Sequence, residues 1–173
     1  MDKLNDIVLG YDEKLVLKEK QSEVLLHLLN KKGDLIVNLP VGYGKSIIFH
    51  LLPKLLDENV FKPVVIVVSA LNIIQKDQLV SLKSHNISSC RLDIYSNIDD
   101  DGAYGAGEDN DRFTCTSDAS IDQLKRGDIS VVLCHPEALL DTKKGRKILK
   151  SLLQQHVVAI VTDECHVLDQ WSV

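Results

Sequence analysis

The chain reads as an open α/β domain, with a mostly parallel sheet between layers of helix. Three observations predict this class. Helical and strand patterns alternate along most of the length. Residues 63–68 form an unbroken, β-branched run of the kind that is buried on both faces of a sheet. A glycine-rich loop, residues 39–46, joins an apolar strand pattern to a helical one. At 173 residues the chain is long enough for one domain with its own core.

The elements follow in order. Val24, Leu25, Leu28 and Leu29 share one helical face, and Lys31-Lys32-Gly33 supplies the cationic residues and glycine that stop a helix. Residues 34–39 read as a short apolar strand. A helix opens after Lys45 with Ile47, Ile48, Leu51 and Leu52 inward, and residues 63–68 form the second strand. Residues 72–83 are helical, with Ile73, Ile74, Leu79 and Leu82 as inward positions, and 89–95 read as a third strand. Residues 96–117 show no periodicity and hold three glycines with a cluster of acids, so they read as a flexible surface insertion. Ser120-Ile121-Asp122-Gln123 fits a capping box, and Gly127 would end that short helix. Residues 129–134 are a fourth strand, 144–155 a helix and 157–162 a fifth strand. No internal repeat is present.

Charge and cysteine usage narrow the function classes little. The net charge of −5 is local: residues 96–120 carry seven acids and one base, which leaves the remainder at about +1. The acidic total therefore does not argue against a nucleic-acid partner. Cys90, Cys115, Cys134 and Cys165 never approach a C-x-x-C spacing and read as free thiols in a reducing compartment. No apolar run reaches the length of a membrane span, and the N-terminus lacks the basic and apolar regions of a secretory signal.

Leu39-Pro40-Val41-Gly42-Tyr43-Gly44-Lys45-Ser46 has the composition of a phosphate loop. Gly42 and Gly44 permit backbone angles that let successive N–H groups turn inward on phosphates, and the helix N-terminus adds its positive end. Lys45 would neutralise the outer phosphates of ATP, and the Ser46 hydroxyl would hold magnesium. Leu39 stands where the full pattern asks for glycine, so the motif is a variant. A tight turn opening an ordinary helix is the plainer alternative, and the strand–loop–helix context speaks against it.

A second motif, Asp163-Glu164-Cys165-His166, closes the apolar run 157–162. Carboxylates at the C-terminal end of a buried parallel strand face the crevice where open α/β sheets bind ligands. Asp163 suits a magnesium contact, and Glu164 suits a base that positions or deprotonates an attacking water. Acids often simply end strands; pairing with a phosphate loop upstream is what favours function. The motif context gives His166 a coupling role over that of an ordinary histidine.

These residues resemble the RecQ-like branch of the superfamily-two helicases, collinearly over nearly the whole chain. Lys18-Glu19-Lys20-Gln21 is similar to the family's adenine-reading segment, which implies that Gln21 bonds the adenine edge. Residues 42–46, from Gly42 through Tyr43 to Ser46, resemble motif I. Val67-Val68-Ser69-Ala70-Leu71, followed by Lys76-Asp77-Gln78, resembles motif Ia with its K-D-Q signature. His135-Pro136-Glu137 stands where the family has T-P-E, residues 163–166 match motif II, and Gln170-Trp171 resembles the opening of the aromatic-rich loop that senses single-stranded DNA. The resemblance implies a RecA-like P-loop NTPase three-layer sandwich, incomplete at the C-terminus, within a helicase ATP-binding domain spanning 1–173. It further implies ATP and Mg2+ as cofactors and DNA, single-stranded or partly duplex, as partner. The motor would unwind in the 3′-to-5′ direction, in the nucleus of a eukaryote or otherwise in the cytoplasm. Ser69, Lys76, Gln78 and Trp171 become DNA-contact candidates.

Several positions depart from the family's pattern. Val41 replaces a usual threonine, Ala70 a proline, His135 a threonine, Cys165 an alanine and Lys18 an arginine, and the stretch from Ser46 to Pro53 is one residue longer than the family's pattern. None removes a phosphate, magnesium or water-activating group. Tyr11 is a candidate to stack on adenine, with ordinary packing as the plainer reading. The basic run Lys143, Lys144, Arg146, Lys147 and Lys150 would meet phosphates or simply form a solvated helix face. The family's topology places the strand after motif II between those ending at Leu39 and Thr162, so this chain is expected to leave a gap there and to need a second lobe for turnover. A non-catalytic nucleotide-binding fragment is the rival of another class. A small-molecule kinase is disfavoured by the K-D-Q and Q-W signatures.

Overall fold

The computed structural model describes residues 2–30, 33–57, 60–69, 71–96 and 113–164. Along the chain run α1 (Asp2–Tyr11), α2 (Glu19–Asn30), α3 (Ser46–Leu55), β1 (Val64–Val68), α4 (Asn72–Ser84), β2 (Ser89–Ser96), β3 (Phe113–Ser117), α5 (Ile121–Lys125), β4 (Val131–Cys134), α6 (Pro136–Leu140), α7 (Lys143–Gln155) and β5 (Val157–Thr162). The strands form one sheet in the order β3-β2-β4-β1-β5, parallel except for the antiparallel edge strand β3. This is the expected α/β, RecA-like sandwich.

The period-two alternation of β1 builds the core on both faces. Val65 and Val67 point to one side, where they join Leu25, Leu51, Leu52, Leu55 and Leu82 from helices α2, α3 and α4. Val64 and Ile66 point to the other, against Leu124, Ala138, Leu139, Ile148 and Leu152 of α5, α6 and α7. Each such side chain contributes roughly 1.5–3 kcal/mol by leaving water. Strand β4 is likewise buried along its whole length, which is why both strands read as continuous apolar runs. Cys90, Cys115 and Cys134 are buried free thiols, and burial pushes Cys90 up to about 12, so they pack as small apolar groups. The capping box on α5 forms as expected: Ser120 Oγ accepts from Gln123 N, and Gln123 Oε1 accepts from Ser120 N.

Two expectations are corrected. Residues 34–39 are not a strand: among the described residues the segment joins no strand of the sheet. Its alternation is strand-like, since Val37 and Leu39 pack on the core while Ile36 is 94% exposed. Alternation alone does not make a strand, because backbone N–H and C=O groups need a neighbouring strand to pair with. The second correction concerns the presumed insertion 96–117, whose last five residues form β3. There Cys115 is buried and Thr116 exposed, an alternation too short to stand out beside the acid cluster. Helices α1 and α6 went unread in the sequence. Residues 97–112, which hold most of the acids, lie outside the described residues, as do 165–173 with Cys165, His166, Gln170 and Trp171. Among the described residues no helix is long and apolar enough to cross a membrane.

Candidate nucleotide-binding site

The loop between residues 34–39 and α3 has the geometry of a phosphate cradle. Gly42 and Gly44 have φ of 76° and 89°, left-handed values that a side chain would resist. At Gly44 glycine is doubly required, because a Cβ would lie 2.8 Å from Gln21 Nε2. Open space lies over Gly42, where a Cβ would meet nothing within 4 Å. Lys45 is the N-cap of α3 and Ser46 its first residue, so both sit at the positive end of the helix.

The segment 18–21 clamps this loop from outside. Gln21, 4% exposed, donates from Nε2 to the carbonyls of Tyr43 and Gly44, 3.0 Å each, while its Oε1 accepts from Lys18 N at 2.8 Å. Lys18 Nζ reaches Tyr43 O at 3.0 Å and lies 4.7 Å above the Tyr43 ring. In this structure the Gln21 carboxamide is thus spent on the loop backbone. Tyr43 is the residue that ties loop and α2 together.

Asp163 and Glu164 enter from the end of β5. Asp163 N donates to Val68 O of β1 at 2.9 Å, which hooks the turn onto the adjoining strand. Asp163 Oδ1 accepts from Glu164 N at 3.0 Å. Glu164 adopts φ 54°, a left-handed conformation seldom taken by a residue with a side chain, and its carboxylate lies 4.0 Å from Lys45 Nζ. Lys45 also donates to Leu39 O at 3.4 Å. Burial raises the Asp163 carboxyl above its ordinary range, with neighbouring Glu164 adding to the effect; the Glu164 N–H and Lys45 oppose it. A divalent cation would supply the charge that this carboxylate lacks. The oxygen donors available, a hydroxyl and carboxylates beside a lysine, suit hard Mg2+. Among the described residues no group of three or more His, Cys, Asp or Glu could hold a metal, so neither the acids nor the cysteines form a separate centre there.

The DNA-contact candidates separate. Lys76 is exposed, and Ser69 is only 1% exposed, its backbone carbonyl held by Gln75 Nε2. Gln78 is turned inward, and its Nε2 donates to Ser46 Oγ at 3.0 Å. Tyr11 is stacked on His85, with ring centroids 4.0 Å apart, and bonds His50. It is engaged in packing.

Beside the C-terminal ends of β1 and β4, and against the middle of β2, a further cluster forms. His135 Nε2 and Arg91 Nη2 both donate to Asn72 Oδ1, each at 2.8 Å, and Arg91 also pairs with Asp93. Asn72, Gln75, Arg91 and His50 escape sequence reading because they obey no spacing rule. Only His50 leaves a trace, as a lone polar residue in the apolar run of α3, four residues after Ser46.

Comparison with known proteins agrees with this geometry. The DEAD/DEAH box helicase family model matches residues 18–173. The chain is 28% identical over 155 residues to the ATP-dependent helicase wrn-1 of Caenorhabditis elegans, covering 90% of this chain and 12% of that protein. It is 28% identical to the ATP-dependent DNA helicase hus2/rqh1 of Schizosaccharomyces pombe, over 90% of this chain and 10% of the relative. It is 30% identical to the ATP-dependent DNA helicase RecQ of Synechocystis, over 94% of this chain and 28% of the relative. The chain therefore spans 10–28% of the length of these RecQ-family relatives. With the matched region running from the Gln21 clamp through the phosphate loop to Glu164, the chain belongs to the DEAD/DEAH box helicase family.

Proposed function

We propose that this chain is the nucleotide-binding lobe of an ATP-dependent DNA helicase of the RecQ type, in which ATP hydrolysis drives 3′-to-5′ movement along a DNA strand. The observation that carries the reading is the approach of Lys45 Nζ to the Glu164 carboxylate, 4.0 Å across a fold that brings the two motifs together. Lys45 would face the outer phosphates, Ser46 and Asp163 would hold Mg2+, and Glu164 would orient the attacking water and take its proton. The bound cation would neutralise charge on the phosphates. Gln21 and Tyr43 fix the loop beside the base, His166 couples hydrolysis to movement, and Ser69, Lys76, Gln78 and Trp171 are the positions first offered to DNA. Gln78 is the one among them whose contacts favour another role. A nuclear setting follows for a eukaryotic host and a cytoplasmic one otherwise.

The test is Glu164→Gln, which keeps the size of the side chain and removes its basicity. In a chain carrying both helicase lobes, ATP binding should persist while single-turnover hydrolysis falls by about 100-fold or more. Turnover at the wild-type rate would reduce Glu164 to a carboxylate that ends a strand. The second reading, a nucleotide-binding fragment without catalysis, is favoured by one observation: among the described residues β5 stands at the edge of the sheet and residues 34–39 join no strand. It predicts tight nucleotide binding with no DNA-stimulated turnover even when the second lobe is supplied.

A further inference from the structure

Behind Ser46 three side chains from three helices form a continuous polar line. The Tyr11 hydroxyl lies 2.8 Å from His50 Nδ1, His50 Nε2 lies 2.9 Å from Gln78 Oε1, and Gln78 Nε2 lies 3.0 Å from Ser46 Oγ. The line crosses from α1 through α3 to α4 and returns to the first residue of α3. His50 is 4% exposed, and burial, with His85 nearby, lowers its pKa to about 4 against the hydrogen bond to Gln78, so its ring is neutral.

Neutrality sets the direction of every bond. Gln78 Oε1 can only accept, so His50 donates through Nε2–H. Nδ1 is then the ring's acceptor, and the Tyr11 hydroxyl donates to it. Tyr11 is itself held by stacking on His85, the planes 6° apart. Gln78 presents an N–H to Ser46 Oγ and occupies one of its two lone pairs. The Ser46 proton and its second lone pair must therefore face away from α4. A buried imidazole in the run Phe49-His50-Leu51 costs desolvation that an apolar side chain would avoid, which makes a purely packing role a poor explanation.

We propose that Tyr11, His50 and Gln78 form a positioning relay that fixes the Ser46 hydroxyl with its free lone pair toward the divalent cation of a bound nucleotide. None of the three touches the nucleotide; they act through Ser46, and Gln78 of the K-D-Q segment serves the nucleotide side of the lobe. The inference rests on the reading of Ser46 as the metal-side hydroxyl in the proposed function. An unheld hydroxyl samples several rotamers, and loss of one orienting hydrogen bond should weaken the cation-dependent part of binding by about threefold to tenfold.

The experiment measures ADP affinity with and without MgCl2 by calorimetry on the 173-residue chain, and takes the ratio of the two as its readout. Gln78→Leu, which keeps bulk and loses the donor, should shrink the Mg2+-dependent gain by about threefold to tenfold. Tyr11→Phe should shrink it less, since one bond at the far end is lost. In a Ser46→Ala background the Gln78→Leu change should have no further effect on the ratio, because its target is gone. If Gln78→Leu lowers the melting temperature enough to compromise the fold, Tyr11→Phe, which removes a single oxygen, decides on the same ratio. An unchanged ratio in the folded variants, or an equal fall with and without Ser46, overturns the relay while leaving the nucleotide site intact. A wild-type chain whose ADP affinity ignores Mg2+ overturns the reading of the site itself, and the relay with it.

Discussion

Lys45 is where the charge balance of the site is set. It stands at the N-cap of α3, lies 4.0 Å from Glu164 and is 30% exposed through its side chain, so it is neither locked in a buried pair nor free in bulk water. A phosphate would replace a carboxylate 4.0 Å away with a closer, more highly charged partner. Lys45→Ala should therefore weaken nucleotide binding by about 100-fold, the equivalent of one or two charge-assisted hydrogen bonds, with little change in melting temperature. Calorimetric titration checks this, and unchanged affinity would remove the phosphate loop from the account. Lys45, Ser46, Asp163 and Glu164 were legible in the sequence because each lies in a short contiguous motif whose backbone context is itself readable. Tyr11, His50 and Gln78 were not legible as a unit, since hydrogen bonds between side chains far apart in sequence depend on how three helices pack. Gln78 was noticed for its motif and assigned to DNA, and its neighbours in space assign it to Ser46.

At the scale of elements, the tightest constraint lies where α6 turns into α7. Thr142 Oγ1 donates to Ala138 O at 2.8 Å and accepts from Gly145 N at 2.8 Å, so one hydroxyl both closes α6 and caps α7. Gly145 is buried against that junction, and a Cβ there would run into the Ala138 carbonyl and crowd Thr142 Oγ1. Backbone cannot yield as the tip of a side chain can. Gly145→Ala should destabilise the fold by about 1–3 kcal/mol, even though alanine is the better helix former by roughly 1 kcal/mol. Urea denaturation measures it, and a variant as stable as the wild type would show that α6 and α7 can slide apart. Such packing is invisible in sequence, where Lys143-Lys144-Gly145-Arg146 reads as a solvated helix start. The same limit explains the unread helix α6: five residues opening on His135-Pro136 show too little periodicity, although proline at the first helical position is a start signal. Strands β1 and β5 were legible because β-branched runs reveal themselves without any partner.

Among the described residues the sheet ends in two edge strands, the antiparallel β3 and the parallel β5. Among the described residues, strand β5 pairs only with β1, and residues 34–39 join no strand of the sheet. Apolar side chains on and near the two segments are exposed: Ile160 is 55% exposed, Ile36 94% and Val41 95%. Val157-Val158-Ala159-Ile160-Val161-Thr162 carries no charge and no proline, and β-branched residues dominate it. An edge with those properties is a template for pairing with another strand, and natural sheets blunt such edges with lysine, proline or a bulge. The one irregularity in β5 falls at its first residues, beside the register shift between Val64 and Val65, so the rest of the strand stays regular. The 173-residue chain alone should therefore self-associate at micromolar concentration, and Ile160→Lys should suppress this by placing a charge mid-edge while changing the melting temperature little. Sedimentation velocity over a concentration series distinguishes the outcomes. A wild-type chain that stays monomeric throughout would mean that the β5 edge drives no association.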